Sequence, residues 1–187
     1  MTSKAEYRKK YKDLRKQLTS EEREEASLQI ANQLLSLDIW QHEFYHIFLP
    51  IIKLGEINTE YTLNILSGKD KNVVLSKSNF EQLSMTHYLL TDNLVIKPNA
   101  WGIPEPQNGL EIKAQQLDVI FIPLLACDLN GNRLGYGKGF YDRFLANCKP
   151  GALKIGLNYF EPEISLPHNT EDIPLTHCIT PQNTYCF

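Results

Sequence analysis

The sequence predicts an α/β fold, in which an open, mostly parallel β-sheet carries helices on both faces. Two observations lead to this prediction. Segments with the pattern of short strands alternate along the chain with segments of helical pattern, and this order is typical of a sheet covered by helices on both sides. In addition, residues 117–125 (LDVIFIPLL) form the most apolar strand-like run, as expected of a central strand buried on both faces.

The N-terminal part of the chain predicts two consecutive helices. Residues 3–18 contain neither glycine nor proline and are rich in helix-forming residues. A second helix begins after Thr19, because Thr19 at the N-cap and Glu22 three positions later can form a capping box. Apolar residues then recur at helical spacing, so this helix has one face suited to a core.

Strands and helices alternate over the rest of the chain, separated by prolines, glycines and an Asn-Gly pair. The predicted elements are a strand at 44–50, a helix at 58–67 capped by Asn58 and ended by Gly68, strands at 72–76, 85–90 and 117–125, a tight turn at Asn130-Gly131, a helix at 140–148, and strands at 152–158 and 176–180. No repeat or linker divides the chain, so we expect one domain over residues 1–187.

Composition and charge exclude several classes of protein. A net charge of −3 and a pI of about 6.0 do not suit a nucleic-acid-binding protein. No apolar run approaches the ~18 residues of a membrane span, and the charged N-terminus lacks the apolar region of a signal peptide. The four cysteines form no CxxC pair and no zinc-site spacing. We therefore expect a cytoplasmic protein with reduced thiols and with no nucleic-acid or membrane partner.

Residues 131–142 (GNRLGYGKGFYD) predict a phosphate-binding loop. Three glycines alternate with Tyr136 and Lys138; they are Gly135, Gly137 and Gly139. Glycine permits positive φ and close approach of the backbone, so successive N–H groups can turn toward one anion. Lys138 adds a full positive charge, and the helix that begins nearby points its positive dipole end the same way. The loop is not a Walker A motif, because no Ser or Thr follows Lys138.

Two charged residues flank this loop, and each has two interpretations. Asp142 could bind a metal ion that accompanies a phosphate, but a carboxylate near a helix N-terminus is also favourable without any ligand. Arg133 could donate bidentately to the same phosphates, or it could be a surface arginine on a hairpin. A glycine-rich turn without a ligand is the corresponding alternative for the loop as a whole.

Lys4, Arg8 and Arg15 lie on one face of the first predicted helix. At ~100° per residue their side chains return to within about 40° of one another, so they form a cationic stripe along which a polyphosphate could lie. A basic face that is simply exposed to solvent is the alternative. RNA is not expected as a partner, since no RNA-binding signature accompanies these charges.

Three further residues are candidates for ligand contacts. Glu56 follows a predicted strand, where α/β proteins bind ligands, and could accept N–H bonds from a polar ring. Trp101 lies in the proline-containing loop WGIPEP and could stack on a flat heterocycle, although the residues alone favour a role in covering the core. Asp172 is not distinguished by its neighbours. The sequence contains no catalytic triad or zinc motif, which suits phosphoryl transfer, where positioning and charge dominate catalysis.

Taken together, these residues resemble the 5-formyltetrahydrofolate cyclo-ligase family, also called methenyltetrahydrofolate synthetases. The most specific match is RLGYGKGFYD at 133–142, which is similar to the family's RLGxGxGYYD. Supporting matches follow the chain in order: Lys4, Arg8 and Arg15 with LTSEE at 18–22; Pro50, Glu56 and Thr59; WGIPEP at 101–106; LDVIFIPLLACDLNGNRLG at 117–135; and Leu166-Pro167 with Asp172. The resemblance therefore covers nearly the whole chain.

The resemblance implies that the chain closes 5-formyltetrahydrofolate to 5,10-methenyltetrahydrofolate, with ATP as co-substrate and Mg²⁺ as metal ion. It also implies a fold similar to that of ribose-5-phosphate isomerase and CoA-transferase relatives. ATP contacts are implied for Lys4, Arg8, Arg133, Leu134, Gly135, Tyr136, Gly137, Lys138, Gly139, Phe140 and Tyr141, of which Lys138, Arg133 and Tyr141 are the expected catalytic residues. Folate contacts are implied for Glu56, Trp101, Tyr136, Gly137, Lys138, Gly139 and Phe140, and Mg²⁺ contacts for Asp142 and Asp172.

Two positions depart from the family pattern. Phe140 replaces the usual tyrosine, and the glutamine that often precedes the LP element has no clear counterpart in residues 158–162 (NYFEP). Three other functions stay open: a different ATP-dependent amide activation or phosphosugar reaction on the same loop, a non-catalytic folate- or nucleotide-binding protein, and an interaction protein with a solvated basic helix. For the enzyme we expect a monomer.

Overall fold

The computed structural model describes residues 2–187. Its α-helices are α1 (Lys4–Gln17), α2 (Ser20–Leu35), α3 (Glu60–Gly68) and α4 (Phe140–Ala146). Its β-strands are β1 (Phe44–His46), β2 (Asn72–Asn79), β3 (Ser84–Leu89), β4 (Ile96–Pro98), β5 (Pro104–Pro106), β6 (Val119–Pro123), β7 (Ala126–Cys127), β8 (Arg133–Leu134), β9 (Leu153–Leu157), β10 (His177–Ile179) and β11 (Thr184–Cys186). Within this part of the chain, no helix combines the length and the apolar character that crossing a membrane requires.

Seven of these strands form one sheet in the order β11-β10-β9-β6-β1-β2-β3. The five inner strands are parallel, and the edge strands β11 and β3 are antiparallel to their neighbours. The strand order reverses at β1, because β2 lies on one side of it and β6 on the other. Ligands bind in open parallel sheets outside the carboxyl ends of the strands at such a reversal. The predicted α/β fold with a mostly parallel sheet is confirmed.

Helices cover both faces of this sheet, as predicted. Val119 and Phe121 of β6 belong to the core that the sheet shares with α2 and α3. Ile120 and Ile122, the alternate residues of the same strand, belong to the core shared with α4. All four side chains are fully buried. Burial on both faces explains why this central strand is the most apolar run in the sequence.

Helix α1 lies across the carboxyl end of β6. A capping box begins it, in which the Ser3 hydroxyl accepts from the Glu6 N–H and the Glu6 carboxylate accepts from the Ser3 N–H. Tyr11 on the inner side of α1 is buried with Leu125 and Leu134, at the base of the β7–β8 hairpin. This packing brings the basic N-terminal residues close to the glycine-rich segment that follows β8.

Local signals predicted the ends of some helices better than others. The capping box of Thr19 and Glu22 at the start of α2 is confirmed. For α3 the prediction is wrong by one residue, since Thr59 is the N-cap and donates its buried hydroxyl to the Phe48 carbonyl. Asn58 instead accepts from a backbone N–H of the first turn. Gly68 also belongs to α3 as its last residue.

The prediction lacked five short strands, namely β4, β5, β7, β8 and β11. Each has two or three residues, too few for a hydrophobic alternation to be recognised. They exist because a partner strand satisfies their backbone groups, which is a tertiary effect. The predicted Asn130-Gly131 turn does join β7 to β8, and Gly131 there has a φ of 80°.

Candidate active site

A cleft of about 610 Å³ opens at the carboxyl ends of the parallel strands. The segments that follow β1 and β2, the first turns of α1, and the segment from β8 into α4 all line it. Every residue that the resemblance implies for ligand contacts lies at this cleft: Lys4, Arg8, Glu56, Trp101, residues 133–142, and Asp172. The chain therefore brings together side chains that are up to 168 positions apart in the sequence.

The glycine loop, defined as residues 135–139, joins β8 to α4. Gly137 and Gly139 have φ values of 97° and 69°, which other residues rarely adopt. A Cβ at position 137 would lie 3.1 Å from Arg8 Cζ, so the loop and α1 already touch there. Gly135 has neither a positive φ nor a neighbour within 4 Å of its Cβ position. The positive φ values let the backbone turn tightly before the first N–H groups of α4.

Lys138 is the exposed cation of this loop. Its amino group makes no hydrogen bond and no ion pair within residues 2–187. Leu134, just before the loop, has a buried side chain, so only its backbone can face a ligand. Lys138 thus offers an uncompensated positive charge beside a run of backbone N–H groups, which is the chemistry of an anion site.

Two cations of α1 reach the same cleft. Lys4 forms an ion pair with Asp172, with 2.5 Å between Nζ and Oδ2. Arg8 donates from Nε to the Gly135 carbonyl at 2.9 Å. Both contacts tie α1 to the loops around the cleft and leave other N–H groups of the two side chains available to a ligand.

Arg15 does not face the cleft, so the predicted stripe is wrong at this residue. Its guanidinium is buried and donates to the Tyr136 hydroxyl and to the Leu124 carbonyl, each at 2.7 Å. The interior supplies these acceptors because α1 packs directly on the end of β6. Arg15 therefore holds Tyr136 in place from behind.

Asp142, in the first turn of α4, is held by Arg133. The guanidinium donates to Asp142 Oδ1 at 2.6 Å, and the Ile173 N–H donates to the same oxygen at 3.2 Å. Arg133 also donates to the Ile173 carbonyl. Only 5% of the Arg133 side chain is exposed, so it is not the surface arginine of the alternative interpretation.

Asp172 has two donors on one oxygen. Lys4 and the Asn169 N–H both reach Oδ2, the latter at 2.7 Å. Partial burial would raise the pKa of Asp172, but the hydrogen bonds from Lys4 and Asn169 outweigh it and lower the pKa. Asp172 is therefore ionised at neutral pH.

The donor set around these two aspartates fits a magnesium ion that arrives with phosphate. Each carboxylate keeps one oxygen, Asp142 Oδ2 and Asp172 Oδ1, without a hydrogen bond in the described chain. No group of three or more acidic, His or Cys side chains suited to a metal ion occurs in residues 2–187. Mg²⁺ commonly takes one or two protein carboxylates and completes its shell with substrate phosphates and water.

Glu56 lies deep in the cleft, after the turn Ile52–Leu54. Its Oε2 accepts from the Ile51 N–H at 2.8 Å. Burial raises the pKa of Glu56, although this N–H, the Tyr136 hydroxyl and the charge of Arg15 favour the ionised form. A buried carboxylate with few donors is a strong acceptor for the N–H groups of a polar ring.

Tyr136 and Tyr141 keep their protons at neutral pH. Burial raises the pKa of both hydroxyls far above the usual range, and the negative charge of Glu56 acts in the same direction. The Tyr141 ring packs edge-on against His46 at 6.0 Å between centroids. Its hydroxyl makes no hydrogen bond within residues 2–187, so it can donate to a ligand.

Histidines contribute no charge to the floor of the cleft. His46 Nε2 and His87 Nδ1 share the Ser76 hydroxyl at 2.8 and 2.7 Å. Burial lowers the pKa of His87 to about 4 and that of His46 well below its usual range. The positive charge of the cleft therefore comes from lysine and arginine side chains alone.

The aromatic wall of the cleft consists of Phe80, Trp101 and Phe140. The Phe80 ring lies 4.2 Å from Trp101 and 5.2 Å from Phe140, between centroids. Trp101 is 60% exposed, so the interpretation that it covers the core is wrong. The β4–β5 hairpin that carries Trp101 is attached to β2, because Glu105 accepts from the Ser78 N–H at 3.0 Å.

Phe80 and Glu105 are site residues that the sequence did not identify. The predicted strand ended at residue 76, whereas β2 continues to Asn79. With the correct end, Phe80 would have followed the carboxyl end of a parallel strand, where ligand contacts are expected. Glu105 has no comparable local signal, because its role depends on a contact with a distant strand.

Comparisons with known proteins identify one family. The sequence profile of the 5-formyltetrahydrofolate cyclo-ligase family matches residues 1–181. The 5-formyltetrahydrofolate cyclo-ligase of Haemophilus influenzae is 33% identical over 175 residues, which cover 90% of this chain and 92% of the relative. That of Escherichia coli K12 is 30% identical over 182 residues, covering 91% and 96%.

Solved structures agree with these relatives. The NMR structure of Aquifex aeolicus 5,10-methenyltetrahydrofolate synthetase superposes with a TM-score of 0.84 at 32% identity, covering 98% of this chain and 92% of that one. The 5,10-methenyltetrahydrofolate synthetase of Mycoplasma pneumoniae gives a TM-score of 0.75 at 19% identity, a likeness of fold alone.

Proposed function

The chain belongs to the 5-formyltetrahydrofolate cyclo-ligase family, and we propose that its cleft closes 5-formyltetrahydrofolate to 5,10-methenyltetrahydrofolate while ATP becomes ADP and phosphate. One observation carries the proposal. The glycine loop, with a Lys138 amino group that has no partner among residues 2–187, lines the same cleft as the buried Glu56 and the aromatic wall. An anion site and a site for a flat polar ring are thus adjacent, as a reaction between ATP and a folate requires.

The reaction requires the formyl oxygen to leave as part of phosphate. An N-formyl group is an amide, so its carbon is a poor electrophile and its oxygen a poor leaving group. In the proposed reaction the formyl oxygen attacks the γ-phosphorus, the bond from that phosphorus to the bridging oxygen breaks, and ADP leaves. N10 of the substrate then attacks the activated carbon and loses its proton to solvent, and phosphate departs with the former formyl oxygen.

Both nucleophiles in this scheme belong to the substrate, which explains why the sequence contains no catalytic triad. The protein binds, orients and stabilises charge, and these contributions dominate phosphoryl transfer. Lys138 would contact the transferred phosphoryl group, and Lys4 and Arg8 the other phosphates. Arg133 adds positive charge and orients Asp142, while residues 134–141 offer backbone N–H groups.

Asp142 and Asp172 would hold Mg²⁺ through the oxygens that they leave free. The ion would supply positive charge that neutralises the charge developing on the phosphate oxygens. The two aspartates are themselves fixed by Arg133 and Lys4, so their positions are set before a ligand arrives.

The folate would occupy the part of the cleft between Glu56 and the aromatic wall. Glu56 would accept N–H bonds from the pterin ring, and Trp101 with Phe80 would cover the flat face of the ligand. Residues 136–140 form most of the anion site and line the same cleft as Glu56 and the aromatic wall, so they would contact both substrates. The Tyr141 hydroxyl would donate to the oxygen that is transferred.

We further propose that the enzyme is a cytoplasmic monomer that acts on a small-molecule substrate without nucleic-acid or membrane partners. The net charge of −3 supports the absence of a nucleic-acid partner. Light scattering on the purified protein tests the oligomeric state. A mass near 21.5 kDa is expected, and a multiple of that mass would overturn the monomer.

Near-ultraviolet absorbance of the methenyl product tests the proposed reaction. Purified protein is mixed with 5-formyltetrahydrofolate, Mg²⁺ and ATP, and parallel samples omit ATP or replace it with a non-hydrolysable analogue. A rise only in the complete mixture is expected. A folded protein that binds both ligands but gives no rise would be a folate- and nucleotide-binding protein, and a rise without ATP would remove the phosphorylation step.

A further inference from the structure

Arg143 connects the glycine loop to the turn that carries Phe80. Its Nη2 donates to the Lys138 carbonyl at 2.5 Å, and its Nε donates to the Leu83 carbonyl at 2.6 Å. Both acceptors are backbone atoms of segments that line the cleft or join its lining strands. Because the guanidinium is planar and rigid, one side chain holds the two segments at a fixed separation.

The turn at residues 80–83 depends on this contact for part of its conformation. Asn79 Oδ1 accepts from two backbone N–H groups of the turn, each at 3.0 Å. Leu83 has a φ of 51°, which is uncommon for a residue with a side chain and is maintained only by surrounding contacts. Arg143 supplies such a contact at the Leu83 carbonyl. Phe80, at the start of the turn, touches both other rings of the aromatic wall.

On the other side, the guanidinium lies against the glycine loop itself. A Cβ at position 139 would come within 2.9 Å of Arg143 Nη1, so the guanidinium lies directly against the loop backbone at this residue. The same guanidinium lies 6.0 Å from the centre of the Phe140 ring. Arg143 therefore contacts the loop backbone on one side and the backbone of the Phe80 turn on the other.

We propose that Arg143 is a positioning residue that couples occupancy of the glycine loop to the arrangement of the aromatic wall. A nucleotide at the loop then tightens folate binding, and by linkage the folate tightens nucleotide binding by the same factor. The inference rests on the proposed function, since it needs both ligands in this cleft. Arg143 is exposed and does not line the cleft, so it acts through Lys138 and Leu83 and not by touching either ligand.

Binding of 5-formyltetrahydrofolate, measured by calorimetry with and without a saturating non-hydrolysable ATP analogue, tests the coupling. In the unmodified protein we expect the analogue to lower the folate Kd at least about fivefold. Arg143→Ala should reduce this factor to below about twofold. Arg143→Lys should do the same, because a single amino group cannot hold both carbonyls in the geometry of the guanidinium. Lys113→Ala is the matched control, as it removes another exposed cation from the neighbouring surface.

A spectroscopic readout separates coupling from a general loss of stability. The chain has two tryptophans, so in a Trp40→Phe background all tryptophan emission comes from Trp101. The analogue alone should change this emission in the otherwise unmodified protein and in the Lys113 variant, but not in the Arg143 variants. The Kd of the analogue itself should stay within about threefold of the unmodified value in the Arg143 and Lys113 variants, because the phosphate contacts remain.

Two results would overturn the inference, and they differ from failure of the proposed function. If the unmodified protein binds the analogue but its folate Kd and Trp101 emission do not respond, there is no coupling. If the analogue changes the folate Kd and the Trp101 emission of both Arg143 variants as it does in the unmodified protein, Arg143 does not carry the coupling. Absence of analogue binding to the unmodified protein would instead remove the proposed nucleotide site, and the coupling with it. Because Arg143 is exposed, its variants are expected to fold, and Arg143→Lys serves alone if Arg143→Ala does not.

Discussion

Two neighbouring cations, Arg133 and Lys138, differ in what they already bind. Arg133 is almost fully buried, and its guanidinium donates hydrogen bonds to Asp142 and to the Ile173 carbonyl. The Lys138 amino group has no partner in residues 2–187 and remains exposed. Replacing Arg133 would therefore disturb the structure of the site, whereas replacing Lys138 changes only what the site can bind. Lys138 is for this reason the better probe of function.

Lys138→Ala is expected to lower kcat at least about 100-fold, since it removes a preorganised charge from the transferred phosphoryl group. Its free energy of unfolding should stay within about 0.5 kcal/mol of the unmodified value, as for other exposed side chains. The methenyl absorbance assay and urea denaturation measure the two quantities. Lys9→Ala, which removes an exposed cation from α1, is the control. Near-normal turnover of Lys138→Ala would remove Lys138 from the mechanism.

Glu56→Gln should separate substrate binding from stability. A charged hydrogen bond is worth about 1.5–3 kcal/mol, so loss of the carboxylate should raise the KM for the folate about tenfold or more. The pKa of Glu56 is raised in the folded state, so folding favours its protonated form. The stability that the protonated Glu56 contributes is fully present at pH values below its pKa in the unfolded chain. It is lost as the pH rises through the pKa of Glu56 in the folded protein.

At pH 7 the Glu56→Gln variant should therefore melt at the same or a higher temperature than the unmodified protein, and the difference should vanish at a pH below the ordinary pKa of a glutamate side chain. Thermal unfolding at several pH values checks this. Glu60→Gln, an exposed glutamate on α3, should change neither KM nor melting. A Glu56→Gln protein with an unchanged KM would contradict the proposed contact with the pterin.

Asp142→Asn should increase the Mg²⁺ requirement. A neutral amide is a poorer ligand than a carboxylate and also weakens the contact with Arg133, so the Mg²⁺ concentration for half-maximal activity should rise at least about tenfold. Titration of Mg²⁺ at fixed ATP measures the effect, with the exposed Asp13→Asn on α1 as control. Superimposable titrations of Asp142→Asn and the unmodified protein would count against the metal assignment.

At the scale of elements, the glycine loop depends on two of its glycines and not on the third. Gly137→Ala must adopt a positive φ and bring its Cβ to 3.1 Å from Arg8 Cζ, so we expect a loss of about 1–2 kcal/mol in the free energy of unfolding. Gly135→Ala requires neither a positive φ nor a close contact of its Cβ. Its free energy of unfolding should stay within about 0.5 kcal/mol of the unmodified value. Urea denaturation compares the two. Equal stabilities would contradict the described loop backbone.

Elements with strong local signals could be predicted from the sequence. The capping box at Thr19, the apolar strand β6 and the helix that starts at Phe140 all carry their information in consecutive residues. The β4–β5 and β7–β8 hairpins do not, because strands of two or three residues form only when a partner backbone is present. The prolines at both ends of β5 also argued against a strand, because proline is uncommon inside a β-sheet.

The candidate site likewise has one part that could be predicted from the sequence and one part that could not. The glycine loop, Lys138 and Asp142 are close in sequence, and their pattern alone predicted a phosphate site. The aromatic wall could not be predicted, since it joins Phe80 and Trp101 from separate hairpins. The burial of the Arg15 side chain could not be predicted either, because its acceptors at Tyr136 and Leu124 belong to distant parts of the chain.

At the scale of the whole molecule, the strand order determines where the candidate site lies. The reversal at β1 opens the cleft, β6 ends beneath it, and α1 closes one side through Lys4 and Arg8. No single segment contains the site, so its two halves meet only in the folded chain. In the proposed reaction, these halves bring a phosphate donor to the oxygen of an amide.

The fate of the formyl oxygen tests this claim most directly. The substrate is labelled with ¹⁸O in the formyl group, turnover is started with unlabelled ATP and Mg²⁺, and the released phosphate is analysed by mass spectrometry. We expect each released phosphate to carry the labelled oxygen, because in the proposed reaction that oxygen attacks the γ-phosphorus. Unlabelled phosphate formed together with the methenyl product would contradict it, since ATP would then be hydrolysed by water and the oxygen lost by another route.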